Sequence, residues 1–365
     1  MLPALESGGV ERGTLEIARA LVQRGHRSLV ISTGGRLVDQ LTREGSEHLT
    51  WSIAKGSHLL ALRYIPTLRR LLRQERVEIL HVRSRHPAWV AWLAWRGMPP
   101  AERPRFITTI HGLYSVNWYS AVMARGEWVI AISDTVRRYL LNHYAGIIRP
   151  ERVETIYRGV DESFLQPGFV PAPEWQARWA AEYPQLVGRP VVTLPGRLTR
   201  LKGHHDFLQI VERLRQDLPE VRGLIVGGAD PRRSGYAREL EREVKRRGLS
   251  DVVFFTGHRH DIREVLAVSN VVFSLSTNPP EAFGRTVAEA LSLGRPVVGY
   301  DHAGVGEILH ALFPAGAVPP GDVAAAAHIA RALLSGSPAE IRTNDLFTTR
   351  RMVDQTLALY HRITE

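Results

Sequence analysis

The chain has 365 residues, 44% hydrophobic and 23% charged, with no cysteine and a net charge of +10. That length and balance suit a globular protein with two cores, and the missing cysteines exclude a disulfide framework, a thiolate metal site and a thiol nucleophile. No apolar run approaches a membrane span and no signal-peptide pattern opens the chain, so a cytoplasmic location is the expectation. The charge is unevenly spread: residues 1–150 hold 21 Lys and Arg against 11 Asp and Glu, and the remainder is balanced. Such a surplus favours an anionic partner, although arginine so outnumbers lysine that plain compositional bias gives the same excess.

In chain order, residues 1–5 end in the turn-like Glu6-Ser7-Gly8-Gly9, and Leu15, Ala18, Leu21 and Val22 then mark one helix face up to Gly25. A strand at 28–32, a helix at 38–41 and a short run at 49–53 follow. Residues 59–72 read as an amphipathic helix with arginines on its outer face. Strands are expected at 77–82, 106–110, 129–132 and 153–157, with helices at 87–95 and 135–143 between them. Residues 159–190 are rich in Pro and Gly and read as a connection carrying a short helix at 175–181. A second series then alternates strands at 191–194, 223–226, 252–256, 271–276 and 296–300 with helices at 203–218, 236–247, 262–268 and a stretch ending at Gly294. Helices at 323–334 and 344–363 finish the chain. Two successive blocks of alternation predict two doubly wound parallel α/β domains with a cleft between them. Only residues 1–5 precede the first glycine loop, so the first strand is expected to be truncated, or to begin upstream.

Five features can carry chemistry. The stretch P-E-A-F-G-R-T-V-A-E-A-L-S-L-G (280–294) sets Glu281 before a helix start and Glu289 eight residues on, so that two acids flank a helix start whose free N–H groups suit an anion. Taken alone it is equally an amphipathic helix with two solvated glutamates. G-R-L-T-R-L-K-G (196–203) offers Arg197 and Lys202 to phosphate oxygens, and Gly203 frees the next helix start. Gly8-Gly9 before a helix allows close backbone approach to a phosphate or sugar, or is a plain turn; G-x-G-x-x-G is absent, which argues against nicotinamide. His111-Gly112 at a strand end can meet a sugar hydroxyl or be structural. Gly304-Val305-Gly306-Glu307 can touch a ligand or cap a helix.

Together, in order along nearly the whole chain, these stretches resemble the retaining family 4 glycosyltransferases of bacterial cell-envelope and lipopolysaccharide type. The E-x7-E stretch with its R-P-V-V exit, the G-R-x-x-x-x-K-G loop, the first glycine loop, V-I-A-I-S-D, I-Y-R-G-V-D and G-H-R-H-D-I all match. The short start departs from the family, as does Gly306 where the family commonly has proline. The resemblance implies a GT-B fold: Rossmann-like domains over 1–165 and 191–343, a linker at 166–190, and a last helix at 344–365 packing back on the first domain. It implies that Arg197 and Lys202 grip the donor diphosphate, with Gly196 in the same loop. Glu289 takes the ribose hydroxyls, Glu281 faces the transferred sugar, and backbone around Phe283, Gly284 and Arg285 holds sugar and phosphate. Gly257, His258 and Arg259 border the base, Gly9 approaches the diphosphate, and His111 lies by the sugar.

No cofactor and no metal are implied, and no D-x-D pair stands at a strand end; the nucleotide-sugar, a UDP-sugar by first expectation, is a substrate. The expected activity moves a hexose to a cell-envelope glycan or glycolipid. The basic first block, with Arg63, Arg69, Arg70, Arg73, Arg83, Arg85, Trp89, Trp92 and Trp95, is read as facing an anionic membrane surface, which would place the protein peripherally on the inner face of the cytoplasmic membrane. No nucleic-acid module is visible. A catalytically idle GT-B scaffold or glycan-binding protein, and a GT-B sugar-nucleotide epimerase, are the alternatives.

Overall fold

A computed structural model describes residues 1–6, 8–53, 63–229 and 234–365. The chain forms two compact units, residues 1–159 with 346–365, and residues 160–345.

The first unit runs α1 (Gly9–Gln23), β1 (Leu29–Ser32), α2 (Val38–Arg43), β2 (Glu47–Thr50), α3 (Tyr64–Gln74), β3 (Ile79–Val82), α4 (Arg85–Arg96), β4 (Arg105–Ile110), β5 (Trp128–Ala131), α5 (Asp134–Tyr144) and β6 (Val153–Thr155). The expected helix start at 59–62 lies outside the described residues. Strands β3-β4-β5-β6 form one parallel ladder and β1-β2 another. The five residues before the glycine loop join them. Leu2 N–H donates to Ile31 O and Thr33 N–H to Pro3 O on one side, and Arg83 N–H donates to Met1 O on the other. This stub lies between β1 and β3, with Leu2 and Leu5 buried under α1. Residues 1–5 thus run in an extended, hydrogen-bonded path through the centre of the unit. A final helix, α13 (Thr349–Thr364), packs Met352, Leu357 and Tyr360 with Ile17 of α1 and Ile107 of β4.

The second unit contains α6 (Pro173–Glu182), β7 (Val191–Pro195), α7 (His204–Asp217), β8 (Arg222–Val226), α8 (Ser234–Arg246), β9 (Val253–Gly257), α9 (Ile262–Ala267), β10 (Val271–Ser274), α10 (Arg285–Ser292), β11 (Val297–Tyr300), α11 (Ala303–Leu312), β12 (Ala317–Val318) and α12 (Val323–Leu334). Its six strands are all parallel in the order β12-β11-β10-β7-β8-β9. Buried on both faces, they read as near-continuous apolar runs. Two-residue β12 has no such run and escapes sequence reading. The Pro- and Gly-rich stretch before β7 belongs with this unit, because Trp175 and Trp179 of α6 pack against Val191, Leu224 and Val265.

The strand order fixes where a ligand can sit. The chain leaves β7 toward β8 and leaves β10 toward β11, in opposite directions, although β7 and β10 are neighbours. Loops diverging from such a switch point open a crevice beyond the strand ends. Among the described residues no helix is long and apolar enough to cross a membrane.

Candidate functional site

The loop after β7 is shaped by its glycines. Gly196 has φ +153°, and the Lys202 side chain lies 3.2 Å from where a Cβ on Gly196 would be. Gly203 has φ +72° and stands immediately before α7, where a Cβ would collide with the Leu275 carbonyl at the end of β10. Left-handed backbone costs an L-residue about 1–2 kcal/mol even without that collision. Gly203→Val is therefore expected to lower the melting midpoint of the second unit by at least about 4 °C, measured by calorimetry.

The same geometry sets Lys202 against the loop after β10. Its Nζ donates to Glu281 Oε1 at 2.6 Å, and Ser276 Oγ donates to the same oxygen at 3.0 Å. Both Lys202 and Glu281 remain partly open to solvent. An ammonium carries three donors, so two of Lys202's remain for a ligand. Arg200 is tied by Glu239 on α8 at 2.8 Å. Arg197 is exposed, and among the described residues its guanidinium meets no carboxylate. Of the three cations in this loop, Arg197 and Lys202 are the ones left to face an anion.

Four residues past Glu281, α10 starts without a side-chain cap, its first residue preceded by Gly284. Its free N–H groups and dipole favour negative charge. The preceding turn is pinned from behind: Gly304 N–H donates to Glu281 O at 3.0 Å, and a Cβ on Gly304 would come within 2.6 Å of Phe283 Cα. Gly304 thus serves packing of this turn. Buried Glu289 accepts from Arg285 Nε at 2.8 Å, one helical turn earlier. Arg285 Nη1 is buried with no hydrogen-bond partner. A buried guanidinium donor without an acceptor is costly, and a ligand oxygen would satisfy it.

In the first unit a second cluster gathers at the C-terminal ends of the stub, β3 and β4. Arg158 donates through Nη2 to Gly9 O and through Nη1 to His111 Nδ1 at 3.2 Å. Buried Arg83 reaches Thr14 Oγ1 at 3.4 Å. Both guanidiniums border Gly13, where a Cβ would lie 2.8 Å from Arg158 Nη2 and 3.5 Å from Arg83 Nη1. Burial first, then the neighbouring Arg158 and Arg83 charges, hold the His111 pKa well below its ordinary value, so the ring is neutral. Because Nδ1 accepts from Arg158, the network assigns the proton to Nε2, which is buried with no partner. At the start of α1 a Cβ on Gly8 would collide with the Glu11 carboxylate. The Glu11 carboxylate therefore folds back against the start of α1.

Two family models cover most of the chain: Glycosyltransferase Family 4 matches residues 7–164, and Glycosyl transferases group 1 matches residues 176–345. By the two models together, the chain belongs to the glycosyltransferases. It is 24% identical over 322 residues to a component of the human phosphatidylinositol N-acetylglucosaminyltransferase, covering 83% of this chain and 61% of that protein, less than two thirds of the relative's length. A solved glycosyltransferase from Rickettsia africae ESF-5 matches with a TM-score of 0.82 at 25% identity, over 100% of this chain and 98% of that one. Anabaena Alr3699/HepE, solved in complex with UDP and glucose, matches with a TM-score of 0.77 at 20% identity, over 99% of this chain and 100% of that one, a likeness of fold.

In this glycosyltransferase the loop after β9 adjoins the loop after β7: Leu198 N–H donates to Gly228 O, and a Cβ on Gly228 would lie 3.4 Å from His258 Cβ. Gly257, the last residue of β9, and His258 are exposed. Arg259 is held by Asp261 at 2.7 Å and Glu182 at 2.9 Å and lies over the Trp179 ring, so its guanidinium is engaged in packing the second unit. Of the surface read as membrane-facing, Arg63 and Arg70 are exposed, while others of its residues are engaged within the fold. Arg69 donates to the Ala94 and Leu93 carbonyls at the end of α4, Arg73 pairs with Glu102, Arg83 is buried, and Arg85 packs on Tyr114 and Tyr119. Trp95 is stacked on Phe106. The exposed apolar groups of this domain include Trp118 and Val116, 75% and 54% exposed.

Sequence reasoning missed Ser276, Arg158 and the buried setting of Arg83. Arg158 stands inside I-Y-R-G-V-D, so its place beside a glycine-marked strand end was an available signal.

Proposed function

We propose that this protein is a retaining hexosyltransferase that moves a sugar from a UDP-sugar to an anionic glycan or glycolipid of the cell envelope. The carrying observation is the switch-point cluster of Lys202, Glu281 and Ser276, beside exposed Arg197, an uncapped α10 and the unsatisfied Arg285 Nη1. It supplies cations and N–H donors where a departing nucleoside diphosphate gathers charge. The fold shared with a protein solved with UDP and glucose supports the choice of base.

In this reading Arg197 and Lys202 hold the diphosphate, and Glu281, already oriented by Lys202 and Ser276, accepts from hydroxyls of the transferred sugar. Glu289 takes the ribose, with Arg285 holding its carboxylate in place. Gly196 lets Lys202 fold across the loop, and Gly257, His258 and Arg259 border the base. In the first domain the His111 Nε2 proton is directed to a sugar oxygen, and the Arg83–Arg158 pair beside Gly9 makes that face selective for an anionic group. The acceptor hydroxyl attacks the face the diphosphate leaves, and the departing phosphate takes the proton, so no side-chain nucleophile is required.

The test is the melting midpoint in the presence of UDP, GDP, ADP, CMP and their sugars. A ligand at about 100 times its Kd adds about 2.7 kcal/mol, so a shift confined to the uridine compounds is expected. A flat response from a folded sample would overturn the donor assignment and favour an idle scaffold.

For a lipid-linked acceptor, the membrane-facing group is Trp118 with Val116, flanked by Trp89, rather than the α3 arginines. Trp118→Ala with Val116→Ser is expected to weaken binding to anionic vesicles several-fold, whereas Arg69→Ala lowers stability and leaves vesicle binding unchanged. The reverse pattern in a flotation assay would return the membrane role to α3.

A further inference from the structure

His111 follows the last residue of β4, and the partner of its ring is a cation. A histidine that takes a proton from a substrate gives its Nδ1–H to a carboxylate or carbonyl and turns an Nε2 lone pair outward. Here Nδ1 faces Arg158 Nη1 at 3.2 Å. A guanidinium has five N–H donors and no acceptor, so Nδ1 is the nitrogen that accepts. The lone pair of the neutral ring is thereby occupied, and the proton sits on Nε2, which is buried with no hydrogen-bond partner. His81, on β3, shows the contrast. Its Nε2 meets Thr109 Oγ1 at 2.6 Å, and its Nδ1 meets the Tyr360 hydroxyl. Hydroxyls both donate and accept, so they fix neither tautomer.

Arg158 is itself fixed in place. It is only 7% exposed, and its Nη2 donates to Gly9 O at the start of α1. Gly13, one helical turn on, leaves the room that the guanidinium needs, since a Cβ there would lie 2.8 Å from Nη2. The charged and titratable groups that bear on the His111 ring are Arg158 after β6, Arg83 after β3 and His81 on β3, and no carboxylate is among them. Burial first, and then each of these groups in turn, keeps a second proton off the ring. A neutral ring with one fixed N–H needs no reorganisation when a ligand oxygen arrives.

We propose that Arg158 is a positioning residue: it orients the His111 ring and fixes it as a neutral Nε2–H donor, so that His111 gives a hydrogen bond to a substrate oxygen and takes no part in proton transfer. This rests on the place given above to His111 beside the transferred sugar. The ring lone pair that could take the proton of an acceptor hydroxyl is already bonded to Arg158, which leaves that proton to the departing phosphate. Turnover then depends on no ionisation of His111.

Nitrogen NMR of protein carrying isotope-labelled histidine reads the ring directly, with the His111 signals assigned by their loss in His111→Gln. Wild type is expected to show the Nε2–H tautomer alone from about pH 8 to 5, across the ordinary histidine range. In Arg158→Met the ring should titrate at a higher pH than in wild type. Gly13→Ala, a change that favours helix, displaces the guanidinium and should shift the ring signals in the same direction. An Nδ1–H or doubly protonated His111 in wild type over that range overturns the proposal, as does an Arg158→Met spectrum indistinguishable from that of wild type. The spectra are recorded without substrate, so they decide what Arg158 does to His111 even if the chain transfers no sugar. Turnover supplies the second arm. His111→Ala removes a preorganised donor and should cost about 100-fold in kcat, and Arg158→Met alone about tenfold. In the His111→Ala background Arg158→Met should cost less than about twofold more, because it acts through the ring. His111→Gln keeps an N–H near the place of Nε2 but is no base, and should retain at least about tenfold more turnover than His111→Ala. Equal losses from Arg158→Met with and without His111 would overturn its positioning role.

Discussion

Replacing Lys202 by Met is expected to reduce turnover by at least about 100-fold while leaving the melting midpoint within a few degrees of wild type. Removing one preorganised donor to a developing oxyanion typically costs about 10²–10³ in kcat. Stability is spared because the Lys202–Glu281 pair is partly exposed, and such pairs contribute little to folding. Glu281→Gln separates the two roles of the pair. The amide oxygen still accepts from Lys202 and Ser276, so the loop keeps its shape, but the negative charge that offsets Lys202 beside the diphosphate is gone. Tighter binding of the nucleoside diphosphate product with slower turnover is the expected outcome, read by product inhibition. Turnover in Lys202→Met within tenfold of wild type would remove Lys202 from the diphosphate site. Arg197 would then have to carry the leaving-group charge alone, and Arg197→Met would show a correspondingly larger loss.

The same pair shows what the sequence exposes and what it hides. The strand at 271–274 and the glycine-terminated helix before 294 are legible because a parallel strand reads as an apolar run and a helix stops at a left-handed glycine, here Gly294 at φ +73°. The meeting of Lys202 with Glu281 across 79 positions is set by β7 and β10 being neighbours, which follows from sheet order and not from any local pattern. The α3 arginines mark the opposite limit. Helical periodicity says which face Arg69 occupies, but only packing shows that the carbonyls ending α4 lie opposite it. Arg83 is harder still, since an arginine that ends up buried beside Thr14 and Arg158 carries no hydropathy signal. The stub was legible as too short for a strand, and Leu2 and Leu5 nonetheless pack as one, since β1 and β3 supply partners on both sides.

Acidification from pH 6.5 to 5 should destabilise both units, and His204 gives the size of the effect. It is fully buried at the start of α7, and desolvation pushes its pKa down to about 4. His81, between Tyr360 and Thr109, and His111, beside Arg158, are held well below the ordinary value chiefly by burial. In each case the unfolded chain takes up a proton near pH 6.5 that the folded chain refuses. Stability is therefore complete above pH 6.5 and falls with pH, for His204 down to about pH 4, where its contribution of roughly 3 kcal/mol is spent. The buried Met1 amine acts in the same direction from about pH 8 to 5. Carboxylates titrate mainly below about pH 5, so the interval from 6.5 to 5 reports the buried histidines together with the Met1 amine. Urea midpoints measured across that interval should fall steadily, and His204→Gln should flatten the slope for the second unit while His111→Gln flattens it for the first. A midpoint independent of pH over this range would mean that these rings are protonated in the folded state. The assignment of the His111 proton to Nε2 alone, and with it the role given to that proton, would then be withdrawn.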